Sequence, residues 1–236
     1  MSDIATSPST RLKPAELAPY IQHTKIELGT TRDEMIAHAR ETVEYGFNAA
    51  MVPASWVPVV AAELAGTGIG IASALDFPTV GVMTSAGKAA EAAEIARLGA
   101  TQLDIGVQIG WLKSGMYDAF REDIAGVVRA AGIPVKVMLE LPLLTDAEKE
   151  AAVELAQEAG VAFLKNASSG AIETANAASV RYLVERARDG VQVKASGSIK
   201  GYPQALTLLD AGAVLMGTSA GIQIVTDTGD ESTVSY

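Results

Sequence analysis

Cysteine is absent from this chain of 236 residues, which rules out disulfides, thiolate chemistry and cysteine-ligated metals. Histidine is nearly absent. Only His23 and His38 occur, in different expected elements, so the residues point away from a histidine-rich zinc site. An excess of positive charge is missing too. The net charge of −10 argues against binding to a phosphate backbone, although a local pocket on an acidic protein can still be positive. No apolar stretch reaches membrane-spanning length. The N-terminal run Met1 to Pro8 has no basic region followed by an apolar one, so it is not read as a signal peptide. These absences lead us to expect a soluble cytoplasmic protein that binds neither nucleic acid nor membrane.

What is present fits a globular enzyme. Hydrophobic residues make up 49% and charged residues 19% of the chain, a composition able to fill a core. From Ile21 onward, apolar runs near 21–27, 47–53, 68–76, 102–109, 133–140, 161–167, 191–196 and 213–218 read as strands. Helix-like stretches lie between them at 32–45, 56–65, 85–98, 115–130, 146–159, 173–188 and 202–210. Thr145-Asp146-Ala147-Glu148 has the form of a capping box. About eight β-α units without a long linker predict a single-domain (β/α)8 TIM barrel over 1–236. A flexible lead-in is expected over 1–14 and a polar tail over 226–236. The rival is a doubly wound open sheet. It would need a glycine-rich dinucleotide turn that Lys25 to Thr30 does not supply.

Three lysines interrupt these apolar strands: Lys136 in Val135-Lys136-Val137, Lys165 in Phe163-Leu164-Lys165, and Lys194 in Val193-Lys194-Ala195. Leu103-Asp104-Ile105 carries a carboxylate in the same sort of place. Lysine is rarely buried unless paired, and both faces of a parallel barrel strand are covered. A lone strand lysine is more readily explained by solvent exposure or an internal ion pair. Three on adjacent strands are not. Side-chain alternation puts Asp104, Gly106 and Gln108 on one face, with Lys136, Met138 and Glu140 on another. It likewise groups Phe163, Lys165 and Ala167, and Lys194 with Ser196. If those faces are interior, the amines crowd one space near the C-terminal ends of the strands. Desolvation and like charge there favour the neutral, nucleophilic amine.

The segments Val193-Lys194-Ala195-Ser196-Gly197, Leu103-Asp104 with Ile109 to Gly115, Leu143-Leu144-Thr145-Asp146 and Phe163-Leu164-Lys165 resemble the class I deoxyribose-phosphate aldolases. The resemblance runs in order from His23-Thr24 to Gly217-Thr218-Ser219. It implies a reversible cleavage of 2-deoxyribose 5-phosphate to acetaldehyde and glyceraldehyde 3-phosphate, with no cofactor and no metal. Lys165 matches the Schiff-base lysine, and Lys194 the second lysine, which favours the free amine and handles protons. Asp104 matches the acid of the proton relay, and Lys136 a supporting lysine paired with it. Some family members end in a terminal tyrosine that assists proton transfer, which makes Tyr236 an auxiliary candidate.

The resemblance also places the substrate phosphate at the ends of strands seven and eight. The candidate binding residues are Gly170, Ser196, Gly197, Ser198, Gly217, Thr218 and Ser219, where small residues precede helical segments. Tight β-α turns favour the same residue types. The chain departs from the usual family pattern at Val52, Asp76, Gln108, Asn166 and Ser198, so the lining is altered while the amines and the carboxylate are kept. Two other readings retain part of the pattern: a related lysine-dependent aldolase or thiolase-like lyase on another phosphorylated sugar, and a non-catalytic phosphosugar-binding barrel. Family members are often dimers, so a homodimer is compatible with the resemblance, although no interface can be read from the residues.

Overall fold

The structure, a computed structural model, describes residues 12–227. Eight parallel strands close into a barrel in chain order: β1 (Ile21–Thr24), β2 (Ala49–Met51), β3 (Gly70–Leu75), β4 (Gln102–Gly106), β5 (Val135–Met138), β6 (Phe163–Lys165), β7 (Gln192–Ser196) and β8 (Leu215–Thr218). Around them run α1 (Arg32–Glu44), α2 (Val57–Leu64), α3 (Ser85–Arg97), α4 (Ile109–Lys113), α5 (Tyr117–Ala131), α6 (Asp146–Glu158), α7 (Ala177–Val184), α8 (Tyr202–Asp210) and α9 (Gly221–Val225). The expected (β/α)8 architecture is therefore the observed one. Among the described residues, no helix is long and apolar enough to cross a membrane.

Local chemistry explains the helix boundaries. Thr145 caps α6 by accepting from Glu148 N–H, while Glu148 Oε2 accepts from Thr145 N–H at 2.8 Å. Gly132 ends α5 at φ 61, a left-handed conformation that lets its N–H reach the Val128 carbonyl. Two five-residue helices, α4 and α9, were not expected, because so short a segment shows no usable hydrophobic period. α7 starts at Ala177, not at 173. Asn176 caps it by accepting from Ser179 N–H, and Ala175 N–H is already engaged with the Gly197 carbonyl at 2.8 Å.

Strand alternation divides the buried residues into two environments. Outward side chains such as Ile71, Leu103, Ile105, Val135, Val137, Leu164 and Val193 join the helices in the main apolar core. Inside the barrel, β2 and β3 contribute a small cluster of Ala49, Met51 and Ala72, packed by Ala74. The opposite wall, from β4 to β7, carries Asp104, Lys136, Lys165 and Lys194. Small residues on one wall leave room for long charged side chains on the other.

Candidate active site

Register brings the four charged residues together. Asp104 lies opposite Lys136, and Lys165 opposite Lys194. Two like charges side by side on neighbouring strands repel, so a bridging carboxylate is needed. Asp104 provides it: Oδ2 is 2.9 Å from Lys165 Nζ and 2.7 Å from Lys194 Nζ, and Oδ1 is 3.3 Å from Lys136 Nζ. All four side chains are buried. Lys136 Nζ also lies 5.5 Å from the centre of the Phe163 ring, a cation–π contact. The expected ion pair of Lys136 with Asp104 is present.

One carboxylate faces three amines, and the electrostatics follow from that ratio. Burial alone would raise the Asp104 carboxyl. The charges of Lys165, Lys194 and Lys136 outweigh it and hold the group well below the ordinary carboxylate range. Burial pushes the Lys194 amine well below the ordinary lysine range. Lys165 and Lys136 add to the push, and Asp104 opposes it. The Lys136 amine is lowered in the same way, by burial first and by Lys165 as well. The site is thus a fixed anion beside two amines, Lys136 and Lys194, that hold their protons less firmly than an ordinary lysine.

A cavity of 280 Å³ opens where β6, β7 and β8 end. Its lining includes Lys165 and Lys194 and all seven expected binding residues: Gly170, Ser196, Gly197, Ser198, Gly217, Thr218 and Ser219. Lys136 and Asp104 are not part of the lining and sit behind the two amines that line it, so the four groups do not share the open space equally. Gly217 is required sterically: a Cβ there would stand 2.6 Å from Ser196 Oγ and 3.1 Å from Lys194 Cε. Ser196 Oγ is buried without a partner among the described residues. The Thr218 hydroxyl is occupied instead. It donates to the Ile199 carbonyl at 2.5 Å and accepts from Ala220 N–H at 2.9 Å, fastening the β7 and β8 loops to each other. Tyr236 lies outside the described residues, as does most of the expected tail.

The contacts of several neighbours were not anticipated from sequence. Asn166, one of the pattern departures, works as an extra ladder rung. Its Oδ1 accepts from Ser196 N–H at 2.9 Å and its Nδ2 donates to the Ser196 carbonyl at 3.0 Å, extending the β6–β7 pairing beyond Lys165. Glu140 follows β5 at φ 53, and its Oε1 accepts from Ser168 N–H at 3.0 Å, in the loop beside the cavity. Burial raises its carboxyl. Lys200, Ser168, Ser169 and Thr24 also line the cavity. Gln22 accepts from Lys194 Nζ at 2.5 Å.

His23 and His38 do belong to different elements, β1 and α1, yet they stack with ring centroids 4.4 Å apart, and Glu41 is beside them. Polar atoms of the three lie within 4.8 Å of one another. The two rings are inclined by 28°, a stacked packing contact. Burial pushes His38 down to about 3, so it is a neutral imidazole held against the His23 carbonyl at 3.1 Å.

Comparison with known proteins agrees with this geometry. No family profile matches the chain. A deoxyribose-phosphate aldolase of Methanothermobacter thermautotrophicus is 41% identical over 211 residues, covering 89% of this chain and 94% of the relative. Another from Rhodospirillum rubrum is 39% identical over 229 residues, covering 97% and 96%. Among solved structures, a tetrameric deoxyribose phosphate aldolase from Aeropyrum pernix superposes with a TM-score of 0.83 at 28% identity, covering 92% of each chain.

Proposed function

The chain belongs to the deoxyribose-phosphate aldolase family, and on that premise we propose that Lys165 forms the Schiff base in the cleavage of 2-deoxyribose 5-phosphate. The observation that carries this reading is the pair of cavity-facing amines, Lys165 and Lys194, held 2.9 and 2.7 Å from one buried carboxylate oxygen. The Lys165 amine adds to the C1 aldehyde to give a carbinolamine, which loses water to an iminium. The proton of the C3 hydroxyl is removed and the C2–C3 bond breaks. Its electron pair flows into the iminium to leave an enamine, and glyceraldehyde 3-phosphate departs. Protonation at C2 regenerates an iminium, and water then releases acetaldehyde and the free amine.

Lys194 is the proton-handling group in this reading, since burial holds its amine well below the ordinary lysine range and places it 2.7 Å from Asp104 Oδ2. Asp104 is the permanent counter-charge, and Lys136 balances its other oxygen. The phosphate end of the substrate is assigned to the Gly170, Ser196, Gly197, Ser198, Gly217, Thr218 and Ser219 rim with Lys200. The free Ser196 hydroxyl and the Lys200 ammonium supply donor and charge. Tyr236 is retained as an auxiliary proton-transfer residue, to be checked with Tyr236→Phe. The active form is a homo-oligomer, dimer or tetramer, which sedimentation would distinguish. Its location is the cytoplasm, where phosphorylated sugars are confined by their charge.

A retro-aldol assay on 2-deoxyribose 5-phosphate tests the reading. Turnover by the parent and none by Lys165→Met is the expected result. A preference for the phosphorylated donor over 2-deoxyribose tests the rim. Equal turnover of both donors would remove the phosphate assignment while leaving the Schiff base.

A further inference from the structure

Lys194 is held from two sides of the barrel. On the β4 side its Nζ is 2.7 Å from Asp104 Oδ2, and on the β1 side it is 2.5 Å from Gln22 Oε1. β8 lies between β7 and β1 in the barrel. The side chain crosses it where Gly217, the register partner of Gln22, leaves space that a Cβ would take from Lys194 Cε at 3.1 Å. Gln22 is fully buried, and its amide cannot turn freely. Its Nε2 donates to Gln102 Oε1 at 2.6 Å and sits 3.4 Å from Asn48 Oδ1, and Gln102 Nε2 is 3.3 Å from the same Asn48 oxygen. Three carboxamides therefore form an uncharged floor and leave one carbonyl oxygen pointing at the amine.

The charged groups facing Lys194 come from only three strands: Asp104 on β4, Lys136 on β5 and Lys165 on β6. The inward residues of the other strands carry no titratable group among the described residues. They are Gln22 and Thr24 on β1, Ala49 and Met51 on β2, Ala72 and Ala74 on β3, and Leu215 and Gly217 on β8. His23 points the other way, stacked on His38 of α1. A carboxamide oxygen accepts an N–H from an amine in either protonation state, whereas a carboxylate at the same place would favour the ammonium.

We propose that Gln22 is the positioning residue of Lys194, holding its amine beside Asp104 at the cavity floor without adding a second negative charge. The inference rests on the assignment of proton handling to Lys194. Its consequence is that Asp104 remains the single anion of the cluster, and the amine is placed by geometry instead of being locked by charge.

The test is the pH profile of kcat/KM for cleavage of 2-deoxyribose 5-phosphate by the parent, Gln22→Glu and Gln22→Met. Gln22→Glu should move the limb set by Lys194 to higher pH by about one unit or more. Gln22→Met should move it lower and reduce kcat about ten-fold with KM nearly unchanged, since the amine is misplaced while substrate contacts remain. Both variants should still be trapped by borohydride at Lys165. That separates this inference from the parent reading, which fails only if the parent itself cannot be trapped there. Trappable variants with the parent's profile and kcat would overturn the role of Gln22. Should Gln22→Glu not fold, Gln102→Leu decides together with Gln22→Met. It frees the Gln22 amide from a half-buried position, so lower kcat at constant KM supports the proposal, and parental kinetics in both refute it.

Discussion

Two buried ionic clusters stand about the same barrel wall with opposite charge ratios. Inside the barrel, one carboxylate, Asp104, meets three amines and the cluster adjoins a cavity. Outside it, one amine meets two carboxylates and the cluster is closed. Lys88 of α3 donates to Asp123 of α5 at 2.5 Å and to the Gly106 carbonyl at 2.6 Å, and lies 3.8 Å from Asp76. Asp76 is further neutralised by the backbone N–H groups of Gly81, Val82 and Met83, at 2.9, 3.0 and 3.1 Å. Those contacts pin the β3–α3 loop that presents Phe77 to the cavity. The difference teaches that burial alone does not make a lysine reactive. Surplus amines over carboxylates, together with access to a cavity, separate the proposed catalytic set from a cross-link.

The largest expected contrast is between Lys165→Met and Lys88→Met. The first should reduce retro-aldol turnover by about four orders of magnitude or more. Its unfolding midpoint should hardly move, because it relieves an overcharged cluster. The second leaves two buried carboxylates without their cation and should cost about 3–5 kcal/mol in urea unfolding. If Lys88→Met unfolds like the parent, the closed cluster is not the fastening described.

Removing the lone anion should come next. Asp104→Asn leaves three amines without a counter-charge and should lower kcat by about 10²-fold. The Lys194 limb of the pH profile should move to lower pH, since Asp104 is what raises that amine. A profile moving upward would contradict the assigned electrostatics.

The smallest effect is a pH dependence of stability. Lys136 and Lys194 bind protons less firmly folded than unfolded. Their burial therefore opposes folding at lower pH, and that cost disappears as pH rises through the depressed values toward the ordinary lysine value of about 10.4. Asp104, lowered on folding, acts at the other end: its stabilisation is present above the ordinary carboxylate range and is lost as pH falls below it. Melting of the parent and Lys194→Met at pH 7 and 9.5 isolates the lysine part. The parent should gain on the variant at the higher pH, and a constant difference would count against the depressed amine.

Much of this comparison could be read from residue order, and its limits are physical. The eight strands and the inward position of Lys136, Lys165 and Lys194 follow from period-two alternation, because a strand covered on both faces leaves a lysine nowhere else to go. Lys88 was invisible on the same logic. A helix has a solvent face, and only the packing of α3 against α5 shows that Lys88 is not on it. Gln22, and the ladder role of Asn166, were illegible for another reason: an uncharged amide near a strand end is equally at home on a surface. The stacking of His23 on His38 needed α1 to fold back across β1, which no spacing along the chain encodes.

The central claim is that the cavity-facing Lys165, and not its equally buried neighbours, carries the substrate. Borohydride reduction in the presence of 2-deoxyribose 5-phosphate, followed by peptide mass mapping, tests it directly. The account predicts a single reduced adduct on Lys165. An adduct on Lys194 or Lys136 would contradict it.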